Sequence, residues 1–183
     1  MKCESSKNAD VSSGDRRISL TIPTTNGICP AGEKAGSAFI NDGRIPVLSC
    51  EGPCIRGEIA RLAANTVAKA DGFARACHGE AFTVPHSAMA KWVKSSEKVV
   101  VIDGCFLKCH GRILQSIVGE KSLVRFDALS FYRKYTEFFE IDSVPEEERK
   151  STAREVADKI LAELRSGNRE MSCSESVGKC GVD

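Results

Sequence analysis

The sequence predicts an α/β fold: an open, mainly parallel sheet flanked by helices, with a cysteine cluster at the carboxyl ends of the strands. Three observations lead there. From residue 45 onward, short apolar runs alternate with segments of helical periodicity, an order that implies right-handed βαβ crossovers. The run Lys98-Val99-Val100-Val101-Ile102 is almost wholly apolar and β-branched, as a strand covered on both faces should be. The chain of 183 residues holds nine cysteines, and Cys50, Cys54, Cys77, Cys105 and Cys109 fall at strand-to-helix junctions.

Taken in order, residues 1–15 are polar and read as a disordered N-terminal segment. In residues 16–44 the run RRISLTI allows one short strand. The turn signals PTTNG, CPAG and NDGR predict loop for the rest. Ile45 to Cys50 is a strand with Pro46 at its beginning, where a strand tolerates it. Glu51-Gly52-Pro53 is a tight turn. Ile55, Ile59, Leu62, Ala63, Thr66, Val67 and Ala70 then recur at helical spacing until Asp71-Gly72 stops them. Phe73 to Cys77 suggests a second strand. His86 to Ser95 reads as a helix carrying Met89, Trp92 and Val93. After the strand ending at Ile102, Asp103-Gly104 is a break, and a helix runs through Ile113, Leu114 and Ile117 to Gly119. Ser122 to Phe126 is a further strand. Ser143 to Glu148 is a helix start with acidic residues in its first turn, and that helix ends near Gly167. The expected organisation is a single metal-binding domain over residues 16–167, followed by a flexible cysteine-containing tail over residues 168–183.

Composition narrows the function. Apolar residues make up 42% and charged residues 28%, and the formal net charge is +1. That balance gives no reason to expect nucleic acid or an anionic membrane as partner. No apolar run approaches the roughly 20 residues that cross a bilayer. The polar N-terminus lacks the apolar stretch of a secretory signal. The expected location is the cytoplasm, where thiols stay reduced and cysteine enrichment points to metal or redox chemistry rather than to structural disulfides.

Two segments echo each other: VLSCEGPCIRGEIARL and VVIDGCFLKCHGRILQ. In each, an apolar strand ends near a cysteine, three residues follow, and a second cysteine precedes a helix. Cys50 and Cys54 form one pair, Cys105 and Cys109 the other, and Cys77 follows the middle strand. Parallel neighbouring strands bring such residues to one sheet edge. The helices starting there favour thiolate over thiol. Thiolates suit zinc, which takes four ligands in a tetrahedron. The metal candidates are therefore Cys50, Cys54, Cys77, Cys105 and Cys109. Asp103 and His110 are candidates for orienting those ligands. His78 and His110 each follow a cysteine, so each could serve a metal; the simpler reading of both is a half-exposed residue at a helix start. Cys3, Cys29, Cys173 and Cys180 lie in polar segments and read as incidental thiols.

Around Asp103-Gly104-Cys105 the sequence resembles the DGC-domain family of zinc-binding proteins, over about residues 46–127. The resemblance includes the strand ending at Cys50, Gly57-Glu58 early in the next helix, the isolated Cys77, and VVVIDGCFLKC. It implies a zinc site made by Cys50, Cys77, Cys105 and Cys109, to which Cys54 is an addition. It implies no particular reaction.

Three functions stay open at this point. The first is a zinc protein with a carrier, sensor or accessory role and no established catalysis. The second is a thiolate enzyme, because Cys50-x5-Arg56 is similar to the phosphate loop of low-molecular-weight tyrosine phosphatases and arsenate reductases. There Cys50 would be the nucleophile and Arg56 the anion clamp. Ile55 intervenes between Cys54 and Arg56, and no Asp-Pro general acid follows. The third is redox use of the same thiols, including an iron–sulfur cluster in place of zinc.

Overall fold

A computed structural model describes residues 18–166. Four strands form one sheet in the order β2-β1-β3-β4, and every pairing is parallel. They are β1 (Ile45–Ser49), β2 (Phe73–Arg75), β3 (Val99–Asp103) and β4 (Leu123–Asp127). Helices connect them: α2 (Ile55–Val67) after β1, α3 (His78–Thr83) and α4 (Ala88–Ser95) after β2, and α5 (Cys109–Val118) after β3. α6 (Ala128–Tyr132) and α7 (Glu146–Ser166) follow β4, and α1 (Pro30–Asn41) precedes the sheet. The open parallel α/β architecture expected from the sequence is present.

Alternation along β3 explains why its sequence carries no polar face. Val100 and Ile102 pack with Val47 and Phe126 against α2 and α7, in a core built around Ile55, Ile59, Ala63, Val156 and Ile160. Val99 and Val101 turn the other way and pack with Leu48 against Met89, Trp92, Val93 and Leu114. Successive side chains of a strand point to opposite faces, so a strand between two helical layers must be apolar at every position.

The chain leaves β1 toward β2 on one side and returns through β3 on the other. The crevice beyond the carboxyl ends of β1 and β3 is thus the point where strand order reverses, the usual place for a ligand in an open α/β sheet. Cys50 directly follows β1, and its N–H donates to Ile102 O at 2.8 Å. Cys105 lies two residues beyond the end of β3.

The N-terminal region differs from the expectation. Residues 18–22 form no strand, and Ile18 and Leu20 are 85% and 79% exposed. Instead of loop, residues 30–41 form the helix α1. Its start signals are local: Pro30 in the first turn, Glu33 behind it, and Cys29 at the N-cap, where its sulfur accepts from Gly32 N at 3.5 Å. Its buried positions are glycines, and only Ala35 and Phe39, the latter beside Trp92, give it an apolar face. A Cβ on Gly36 would lie 2.4 Å from Met89 N of α4, and one on Gly32 would lie 1.8 Å from Glu80 Oε1. Cys29 therefore caps a helix rather than being incidental. The short α3 and α6 were also unmarked in the sequence, being too brief to show a period. The expected segments 1–15 and 168–183, with Cys3, Cys173 and Cys180, lie outside the described residues.

α7 docks on α2 through Val156, Ala157 and Ile160, all fully buried. Ile160→Ala should lower the unfolding free energy by about 2–5 kcal/mol, the range for deleting a large buried aliphatic group. A urea midpoint close to that of the unaltered protein would show that α7 is not part of the cooperative core.

Candidate metal centre

The Asp103-Gly104-Cys105 turn is set by three close approaches. Asp103, only 1% exposed, points its carboxylate at the start of α5. Oδ1 accepts from His110 N at 3.0 Å, and Oδ2 from Gly111 N at 3.1 Å. A Cβ on Gly111 would lie 2.6 Å from that carboxylate, so the helix start has room for Asp103 only because residue 111 is glycine. Gly104 touches α2: a Cβ there would meet Arg56 O at 2.8 Å and Gly57 N at 2.9 Å. Gly57 in turn lies against Gly52, whose carbonyl oxygen is 2.3 Å from where its Cβ would be. The loop after β3 and the loop after β1 thus each rest, backbone on backbone, against the first turn of α2.

Within this frame each candidate cysteine has a definite position. Cys54 is the N-cap of α2, Cys77 the N-cap of α3, and Cys109 the first residue of α5. Cys50 Sγ accepts from Gly52 N at 3.4 Å. Lys108, just before Cys109, takes the left-handed conformation at φ 49°, and its N–H donates to Cys105 O at 3.0 Å. That turn brings Cys105 and Cys109 back toward each other. All five are free thiols; Cys50, Cys54 and Cys105 are half-buried, and Cys77 and Cys109 are exposed.

Electrostatics couples part of this set. Burial pushes the Cys109 thiol above its ordinary value, and the charges available to Cys105, Cys50 and Asp103 push it further. Sequence reasoning expected the start of α5 to favour the thiolate. Burial and the neighbouring acidic groups outweigh the backbone N–H contribution there. A cation among these groups would reverse the penalty, since like charges that oppose ionisation are stabilised by a shared positive ion. Asp103 itself is pushed up by burial, with the two backbone N–H groups opposing that shift.

Beside the thiols stand two histidines. His78 and His110 lie with ring centroids 5.2 Å apart and their planes at 70°. His78 is pushed down to about 4, first by burial and then by His110. Arg75 ties the ends of β1 and β2 together. It donates to Val47 O at 2.9 Å, Ser49 Oγ at 2.6 Å and Glu51 Oε1 at 2.9 Å. Neither the histidine pair nor this network was read from the sequence as a unit. The signal for the pair was present as the repeated dipeptides Cys77-His78 and Cys109-His110.

Among the described residues, no three His, Cys, Asp or Glu side chains lie close enough together, as they stand, to hold a metal ion. The donor chemistry fits zinc nonetheless: unpaired thiols, neutral imidazole and a carboxylate oriented toward a ligand's backbone.

The family model of the DGC domain matches residues 46–151, more than half of the chain. The chain belongs to the DGC-domain family. No curated protein and no solved structure matches it. The match extends past the resemblance noted above into the first turns of α7. In this DGC domain the tripeptide has a mechanical meaning, since Asp103 caps α5, Gly104 allows contact with α2, and Cys105 is presented between them. No helix among the described residues is long and apolar enough to cross a membrane.

Two measurements check this geometry. Gly104→Ala should destabilise the domain by about 1–3 kcal/mol, the range for overpacking a closely fitted site; an unchanged melting curve would show that Gly104 does not touch α2. His78 is neutral in the fold near neutral pH and ordinary, at 6.5, when unfolded. The unfolded chain therefore binds the extra proton between about 6.5 and 4, and stability should fall as pH drops through that window. His78→Gln should remove this part of the pH dependence, and an identical profile in the variant would contradict the assignment.

Proposed function

We propose that this DGC domain binds zinc at the carboxyl edge of its sheet, through thiolates drawn from Cys50, Cys54, Cys77, Cys105 and Cys109. The role is that of a carrier, sensor or accessory protein rather than an established catalyst. The observation that carries the reading is the set of free thiols just beyond the ends of β1, β2 and β3, where burial and then the neighbouring Cys105, Cys50 and Asp103 push the Cys109 thiol up. A thiol so placed at a strand-order reversal gains from a divalent cation. When bound, zinc supplies a positive charge and fixed tetrahedral bonding. The chain's own part is to hold the thiols. α5, capped by Asp103, positions Cys109; the Gly104–α2 contact positions Cys105; and the bond from Cys50 N to Ile102 O positions Cys50. Cys77 and Cys109 are exposed, so their side chains can turn inward. The reducing environment expected for such thiols is the cytoplasm.

The phosphate-loop alternative is weakened by two details. A phosphate cradle needs free N–H groups at the helix start, but Ile55 N donates to Phe139 O at 3.1 Å. The Gly52 carbonyl oxygen also presses against Gly57, so an acceptor stands where donors are required. Arg56 Nε and Tyr132 Oη are buried without partners, yet no Asp-Pro general acid follows in the sequence to protonate a leaving group.

Metal content separates the readings. Anaerobically purified protein should carry about one zinc per chain by mass spectrometry of the metal, and Cys105→Ser should lose most of it. Zinc in hundredfold excess over its dissociation constant should add about 2.7 kcal/mol to stability, reversed by a chelator. Iron with sulfide would move the function to redox chemistry, and protein that takes up neither metal would contradict the proposal.

A further inference from the structure

Two buried imidazole nitrogens have no partner in the described protein: Nε2 of His78 and Nδ1 of His110. A buried polar atom without a hydrogen bond is costly and calls for a water, an ion or a chemical use. Here the two orphans belong to neighbouring rings. Each histidine directly follows a free, exposed thiol, Cys77 or Cys109. Each lies in the first turn of a helix that begins beyond the carboxyl end of a strand. The residues that place them are fixed. The ring of Phe82 packs 5.8 Å from that of His78, and Asp103 holds the His110 backbone at 3.0 Å.

We propose that His78 and His110 are both ligands of the metal bound at this edge, making the site a mixed nitrogen–sulfur centre with two thiolates in its remaining positions. The inference rests on the zinc reading above. Zinc–nitrogen bonds of about 2.0–2.1 Å in a tetrahedron put the centroids of two imidazole ligands about 5 Å apart. The observed separation is 5.2 Å. Charge points the same way. Two thiolates and two neutral imidazoles leave a zinc centre neutral, whereas four thiolates leave it doubly negative beside the buried Asp103 carboxylate. A water bridging the rings would satisfy both nitrogens but would leave the adjoining thiols unexplained.

X-ray absorption at the zinc edge of the zinc-loaded full chain tests this directly. The first shell should contain nitrogen at about 2.0 Å together with sulfur at about 2.3 Å. In the double variant His78→Gln/His110→Gln the nitrogen contribution should disappear, and zinc affinity, measured by competition with a chelator, should fall at least about tenfold, the low end for loss of metal-site contacts. A shell of sulfur alone in the unaltered protein overturns this inference and leaves the zinc reading standing. Zinc affinity unchanged in the double variant also overturns it. Failure of the unaltered protein to take up zinc overturns both.

Discussion

The cap that Asp103 places on α5 is the interaction on which the rest of the candidate site depends. A carboxylate that is 1% exposed accepts from two backbone N–H groups, His110 and Gly111. Burial of a carboxyl group is costly without such partners, and helix N-termini offer them because their first N–H groups have no intrahelical acceptor. The cap fixes the angle at which α5 leaves β3, and with it the places of Cys109 and His110. Burial, and then the neighbouring Cys105, Cys50 and Asp103, push the Cys109 thiol above its ordinary value, and a cation beside it would offset that penalty.

Glycine contacts extend this constraint across the sheet edge. Gly104 meets the first turn of α2, and Gly57 meets the Gly52 carbonyl. The loop after β3 and the first turn of α2 are therefore one packed unit. Arg75 ties the end of β2 to that of β1 through Val47, Ser49 and Glu51. Backbone packed in this way fixes where each thiol leaves the main chain, which limits the freedom lost when side chains turn toward a ligand.

The fold was legible where burial is two-sided and long. The all-apolar β3, the α2 periodicity and the acidic start of α7 each follow from one simple pattern, and all are present. α1 was not legible because its buried positions are Gly32, against Glu80 of α3, and Gly36, against α4, which leaves only Ala35 and Phe39 as a short apolar pair. Within the candidate site, the placement of Cys50, Cys77 and Cys105 just beyond strand ends followed from the parallel topology. What sequence could not give was the pairing of His78 with His110, which depends on how α3 and α5 approach across the edge, or the capping of α5 by Asp103. The pairing arises from a tertiary contact between residues far apart along the chain.

Zinc held by thiolates must shield those thiolates from alkylation, and this is the most direct test of the central claim. Mass-spectrometric mapping of maleimide labelling, with and without zinc, reads each cysteine separately. The account predicts that zinc slows labelling of thiols among Cys50, Cys54, Cys77, Cys105 and Cys109 while Cys29, the N-cap of α1, labels at an unchanged rate. Labelling of all six at rates indifferent to zinc would contradict it.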